Sequence, residues 1–330
     1  ERVRAKEMGI PEMSYFEALG EVSKNARTIA VAGTHGKTTT TAMIAWLFQQ
    51  FDIPESHSIG TLVSFAPSGK FSDDGQYFIY EADEYDRNML RFHPAISLIT
   101  SLDYDHPDTY TTHDDYKKAF RAFVRQSTKV FMWQRDADYI GIKPSKKITI
   151  TDDLLTQEEL ITLPGHHNRM NALLACAVFN AISPELKFEY IVMAINQFPG
   201  TARRFERLAE GLYSDYAHHP IEIAATLQMA HELSRKVVIV YQPHQNIRQH
   251  DIIDQYQDSF KGAHHVYWLP TFLSREDPQL PVLTPNQLIA KLGSPGIAEP
   301  AELDEKLIKT IRHELNHGAL VLAMGAGDID

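Results

Sequence analysis

Short apolar runs alternate with longer amphipathic stretches along most of this chain. Between residues 28 and 200 the apolar runs predict strands at 28–32, 77–81, 95–101, 128–133 and 147–151. The stretches with helical periodicity predict helices at 37–50, 114–126, 167–182 and 187–197. Such alternation predicts a mostly parallel sheet with helices on both faces. Pro199-Gly200-Thr201 interrupts the pattern, which then resumes with strands at 210–215, 236–241, 264–269 and 319–324. Helices are predicted there at 220–233, 250–260, 285–291 and 302–316. Ahead of all this, 1–27 reads as a linker segment with two short helical pieces.

The first strand is followed by Gly33-Thr34-His35-Gly36-Lys37-Thr38-Thr39. Strand, glycine turn, Lys-Thr and helix is the layout of a phosphate-binding loop. Its glycines turn the backbone N–H groups toward phosphate oxygens, and the helix start adds partial positive charge. Lys37 would reach the β- and γ-phosphates and the Thr38 hydroxyl would hold Mg²⁺. The general pattern has a Gly where Val31 stands, so the match is to a shorter loop, G-T-H-G-K-T. The fold class expected is α/β, with a central mostly parallel sheet domain of phosphate-loop type (28–201) followed by a smaller Rossmann-like domain (202–330).

Ligands of such sheets bind beyond the carboxyl ends of the strands, and polar motifs fall there. Glu81-Ala82-Asp83-Glu84 follows the second strand, and Glu81, closest to it, is favoured as a metal ligand over a merely solvated acidic turn. Asp105-His106-Pro107-Asp108 follows the third, where a neutral imidazole can ligate a metal. In Gly165-His166-His167-Asn168-Arg169-Met170-Asn171, Asn168 and Asn171 suit either helix capping or recognition of an adenine edge. Arg203-Arg204 could neutralise a phosphate or form an exposed linker. Asp215 to His219 and Gln242 to Arg248 end two later strands and suggest a ligand face.

Composition narrows the classes. The 330 residues are 43% hydrophobic and 23% charged, with a net charge of −11. That balance opposes nonspecific nucleic-acid binding, which needs a basic surface. No apolar run approaches a membrane span, and one cysteine, Cys176, rules out an intrachain disulfide. The cytoplasm is the default compartment.

Taken together, these motifs resemble the Mur ligases of peptidoglycan synthesis. AGTHGKTTTTAMIA, EADEYD, DHPDTY, GHHNRMNALLA, GTARRFE, DYAHHPIEI, QPHQNIRQHD and GAGDI follow in that family's order. The loop, with His after its first Gly-Thr, looks like that of the alanine-adding subgroup. The resemblance implies an ATP-dependent, ADP-forming ligase that uses Mg²⁺. It would join L-alanine to UDP-N-acetylmuramate through an acyl phosphate, as a monomer or weak homodimer. It implies that Gly33 to Thr39 and Arg204 hold the ATP phosphates, Asn168 and Asn171 the adenine and Asp215 the ribose. Thr38, Glu81 and His106 would hold the metal, with Lys37, Glu81, His106 and Arg204 catalytic. His218, His219 and Arg248 would lie near the muramyl carboxylate and the amino acid.

Departures from the family pattern are Gln245 for the subgroup's usual Arg, Pro107 for Met and Tyr85 for Ser, with no counterpart of the carbamylated lysine found in other members. EADEYD also occurs in the related murein-tripeptide recycling ligase, which is the alternative reading. A third is an ATP-binding fragment, inactive without the family's N-terminal UDP-binding domain, which has no counterpart in these residues; the central domain is also shorter than usual.

Overall fold

β1 (Arg27–Ala32) lies in the middle of a seven-stranded sheet, and Ile29 to Ala32 are fully buried. The computed structural model describes residues 2–106, 109–274 and 276–329; Pro107 and Asp108 of the Asp-His motif lie outside them. The first sheet adds β2 (Glu55–Ser58), β3 (Gly69–Lys70), β4 (Tyr77–Glu81), β5 (Ile96–Ile99), β6 (Lys129–Met132) and β7 (Ile148–Ile150). Their order is β3-β2-β4-β1-β5-β6-β7, parallel except for the β2–β3 pair. The chain therefore places β4 and β5 on opposite sides of β1. Val31 pairs with Glu81 and Ala32 with Ile99, so three carboxyl ends come together at one edge of the sheet.

Helix Lys37–Gln50 covers one face of the sheet and buries Ala42, Ile44, Leu47 and Phe48. Helix His113–Gln126 buries Tyr116, Phe120 and Phe123 in a cluster with Tyr80, Phe92 and Tyr110. Helix Tyr15–Ser23 is capped reciprocally by Ser14 and Glu17, and its Phe16 and Leu19 pack on the same cluster. Helix His166–Ile182 buries Leu173, Leu174, Val178, Phe179 and the sole cysteine, Cys176. Burial pushes the Cys176 thiol far above its ordinary range.

The second sheet contains β8 (Glu206–Ala209), β9 (Leu212–Asp215), β10 (Val237–Gln242), β11 (His265–Trp268), β12 (Ala298–Pro300) and β13 (Leu320–Gly325). Its order is β12-β11-β10-β13-β9-β8, with only β8–β9 antiparallel. A core around Tyr241, Tyr256, Phe260 and Trp268 supports one face. The carboxyl ends of β9, β13 and β10 are neighbours, which groups the loops after Asp215, Gly325 and Gln242.

Cα proximity divides the chain into one compact unit of Glu1–Thr162 with Met170–Pro199, and another of Leu163–Arg169 with Gly200–Asp330. The division passes through helix His166–Ile182. No helix among the described residues is long and apolar enough to cross a membrane.

Candidate nucleotide and metal site

Gly33 leaves β1 with φ +134°, and Gly36 precedes helix Lys37–Gln50 with φ +84°, both in the region that favours glycine. Space reinforces the requirement at each. A Cβ on Gly33 would stand 2.9 Å from Ser101 O, and one on Gly36 would stand 2.7 Å from Asn171 Nδ2. Thr34 locks the turn, because its hydroxyl meets Tyr116 Oη at 2.6 Å and Asp103 O at 2.7 Å. Ser101 Oγ accepts the His35 N–H at 3.2 Å. Gly36 gives the helix no side-chain cap, so the first helical N–H groups have no partner within the helix. Thr39 is buried in the helix's first turn.

Lys37 folds back over this loop. Its Nζ lies 2.6 Å from Gly33 O, 3.2 Å from Thr34 O and 2.7 Å from Glu84 Oε2. Glu84 is 1% exposed and also faces His106 Nε2 at 3.5 Å. Burial lowers the Lys37 pKa, but the negative charges of Glu84 and Asp83 outweigh it and the net shift is upward. Burial would raise Glu84, yet Lys37 and His106 hold it below the usual carboxylate range. The pair is therefore ionised at neutral pH. Burial likewise opposes protonation of His106, while Glu84 and Asp105 carry its pKa upward.

Beside this pair, Glu81 Oε2 accepts the Thr38 hydroxyl at 3.0 Å and Glu81 Oε1 accepts the Gly60 N–H at 2.6 Å. The structure thus gives the two glutamates different partners, Glu81 with Thr38 and Glu84 with Lys37. Sequence reasoning singled out Glu81 and passed over Glu84, which lies three residues further from the strand. The turn at Ala82-Asp83 brings Glu84 under the lysine, and its backbone O accepts Tyr110 Oη at 2.6 Å. Of the two asparagines, Asn171 packs against Gly36 in the first unit. Asn168 belongs to the second, where its amide contacts Pro164 O at 3.1 Å and Met229 Sδ at 3.4 Å.

The chemistry of this edge fits a nucleotide phosphate chain with Mg²⁺. Two glycine cradles would be filled by any Cβ, an uncapped helix start follows them, and hydroxyl and carboxylate oxygens sit together at Thr38 and Glu81. No three of His, Cys, Asp and Glu form a metal-holding group among the described residues. Mg²⁺ needs no such cage, since one or two carboxylates with phosphates and water suffice.

In the second unit Arg203 and Arg204 both lie over the Tyr216 ring, at 5.1 and 5.0 Å from its centroid. Arg203 Nη2 also donates to Gly325 O at 2.8 Å and Gly327 O at 3.0 Å. Asp215 is 5% exposed and accepts the N–H groups of Phe205 at 2.7 Å and Ala217 at 2.8 Å. Burial pushes its pKa up to about 6 against the pull of Arg204 and those N–H groups. His219 caps helix Pro220–Leu233 together with Glu222. After β10, Gln245 takes φ +60° and starts helix Asn246–Ile252, which carries Arg248.

Arg248 Nη1 contacts His218 Nε2, while His218 Nδ1 lies 3.1 Å from Tyr216 O. A guanidinium only donates and a carbonyl only accepts, so His218 is neutral with its proton on Nδ1. Burial, assisted by Arg248, brings its pKa down to about 4 although Glu222 opposes this. Replacing Arg248 with Ala removes a charge and admits water. The His218 Hε1 resonance should then titrate at least about one unit higher in a proton NMR series; an unchanged midpoint would contradict this origin of the shift.

Comparison with known proteins agrees with this geometry. Residues 31–152 match the Mur ligase middle domain, and 203–327 match the Mur ligase, glutamate ligase domain. A UDP-N-acetylmuramate–L-alanine ligase of Desulfitobacterium hafniense is 31% identical, covering 100% of this chain and 81% of the relative. The enzyme of that name from Lactiplantibacillus plantarum is 32% identical, covering 99% of this chain and 79% of the relative. Among solved structures, a UDP-N-acetylmuramate–alanine ligase from Thermotoga maritima shares the fold with a TM-score of 0.73 at 24% identity, covering 99% of this chain and 79% of that one. With the phosphate-loop turn, the two acidic partners and similarity along the whole of these 330 residues in agreement, the chain belongs to the Mur ligase family.

Proposed function

We propose that this protein joins L-alanine to UDP-N-acetylmuramate in an ATP-dependent, ADP-forming reaction of peptidoglycan precursor synthesis. The observation that carries the proposal is the adjacent pairing of Lys37 with Glu84 and Thr38 with Glu81 at the loop edge, in a chain whose relatives bear that enzyme's name. When bound, ATP with Mg²⁺ supplies the phosphoryl group that activates a carboxylate for attack by an amine.

The chain's residues then have separable tasks. Gly33 to Gly36 shape the backbone to accept phosphates without side-chain obstruction, and Thr39 seats the helix that begins there. Lys37 places one positive charge beside the phosphates, and Thr38, Glu81 and His106 hold the metal. Lowering charge repulsion between carboxylate and phosphate is the main electrostatic need of such a reaction. In the second unit, Arg204 contributes positive charge. Asn168 suits an amide contact with a base and Asp215 a hydrogen bond from a ribose, and in the first unit Asn171 holds its amide beside Gly36 of the loop. His218, neutral, together with His219 and Arg248 presents polar groups to the carboxylate and amine substrates.

The test is ADP release from ATP and Mg²⁺ with UDP-N-acetylmuramate plus either L-alanine or the murein tripeptide. Alanine-dependent release is expected. Release with tripeptide and none with alanine would shift the assignment to the recycling ligase.

A further inference from the structure

β2 carries buried polar side chains that the proposed reaction does not use. Glu55 and His57 are each 2% exposed at the edge of the first sheet. His57 Nδ1 lies 2.9 Å from Glu55 Oε1, and His57 Nε2 lies 2.7 Å from Pro67 O. Lys70 on β3 completes the group, with Nζ at 2.7 Å from Glu55 Oε2. The two strands pair His57 with Lys70 and Ser58 with Gly69, and the Ile59 N–H donates to Ser68 O at 2.8 Å. Residues 55–70 thus form a hairpin clamped across its base by a carboxylate, an imidazole and an ammonium. A second anchor holds its loop, where the Phe65 ring meets Trp46 at 5.3 Å and Phe198 at 6.2 Å, all within the first unit.

The place this hairpin delivers is Gly60. Its N–H donates to Glu81 Oε1 at 2.6 Å, while the other oxygen of Glu81 accepts from Thr38. Gly60 is absent from the residues with positive φ, so backbone conformation does not demand glycine there. Contact is where a side chain would act, because a Cβ would stand 2.6 Å from Glu81 Oε1 and 3.1 Å from Cδ, so the carboxylate would have to shift. We propose that the Glu55–His57–Lys70 clamp and Gly60 form a positioning device that fixes the Glu81 carboxylate with one oxygen turned toward Thr38. Buried polar groups at a sheet edge are costly unless paired. Here their pairing fixes a loop whose first residue touches the proposed metal ligand. Hydrogen bonds to a ligating carboxylate set its orientation, and losing one typically weakens metal binding about 10- to 100-fold.

The inference rests on Glu81 being a metal ligand, and the test separates the two. Mn²⁺ binding to the full chain is titrated by electron paramagnetic resonance in the presence of a non-hydrolysable ATP analogue, alongside urea unfolding. Glu81→Gln should weaken Mn²⁺ binding by at least about tenfold; if it does not, the metal-ligand reading itself fails. Gly60→Ala should weaken it about tenfold with an unchanged unfolding midpoint. Lys70→Met should weaken it several-fold, and Lys70→Arg should restore it. The positioning role is overturned if Glu81→Gln loses affinity while Gly60→Ala and Lys70→Met stay within twofold of the parent. It is equally overturned if affinity falls only in step with stability.

Discussion

Lys37→Met is expected to reduce ligase turnover by about 10²–10³-fold or more, the scale of removing one electrostatic partner of a developing charge. A second effect follows from where the ammonium sits. Glu84, 1% exposed, would lose the cation at 2.7 Å, leaving His106 at 3.5 Å. Breaking one side of a buried pair costs about 3–5 kcal/mol, because the remaining charge stays desolvated. Urea unfolding should register that loss. The double variant Lys37→Met with Glu84→Gln should recover much of the stability and none of the turnover, since the neutral amide tolerates burial but brings no positive charge. Parental turnover in Lys37→Met would remove the loop from the mechanism.

Gly33→Ala has the largest expected effect on the fold of the loop itself. Two penalties coincide there, a backbone at φ +134° and a new methyl between Thr100 Oγ1 and the Ser101 backbone. Strain of this kind costs 1–3 kcal/mol and overpacking a similar amount, so a loss of roughly 3 kcal/mol or more is expected. Binding of a fluorescent ATP analogue should vanish with it. Gly69→Ala is the control, with ordinary φ and nothing within 4 Å of the added carbon. It should stay within about 0.5 kcal/mol of the parent in the same denaturation series.

Much of the scaffold was readable because it obeys periodicity. Tyr77–Glu81, Lys37–Gln50 and Pro220–Leu233 fall where the apolar pattern predicts them. β2 was not readable, since Glu-Ser-His-Ser has no apolar signal and gains burial only by pairing with β4 and β3. β8 and helix Gln134–Ile140 were missed for a related reason, being too short to show a period. At the site, the phosphate-loop residues declare themselves through glycine spacing. The division of labour between Glu81 and Glu84 does not, because a turn decides which carboxylate meets the lysine. Arg203 and Arg204 are equally basic on paper, and contacts with Gly325 and Gly327, far along the chain, distinguish them.

The burial of Cys176 has a practical consequence. With this single thiol sealed in helix His166–Ile182 and held protonated, these folded residues are expected to resist maleimides and related labels. A cysteine introduced at an exposed position is therefore labelled alone, without first removing the natural one. Two such positions, one in each compact unit, would carry a donor and acceptor dye pair. Energy transfer between them would then follow the spacing of the units through a catalytic cycle in an otherwise unaltered core.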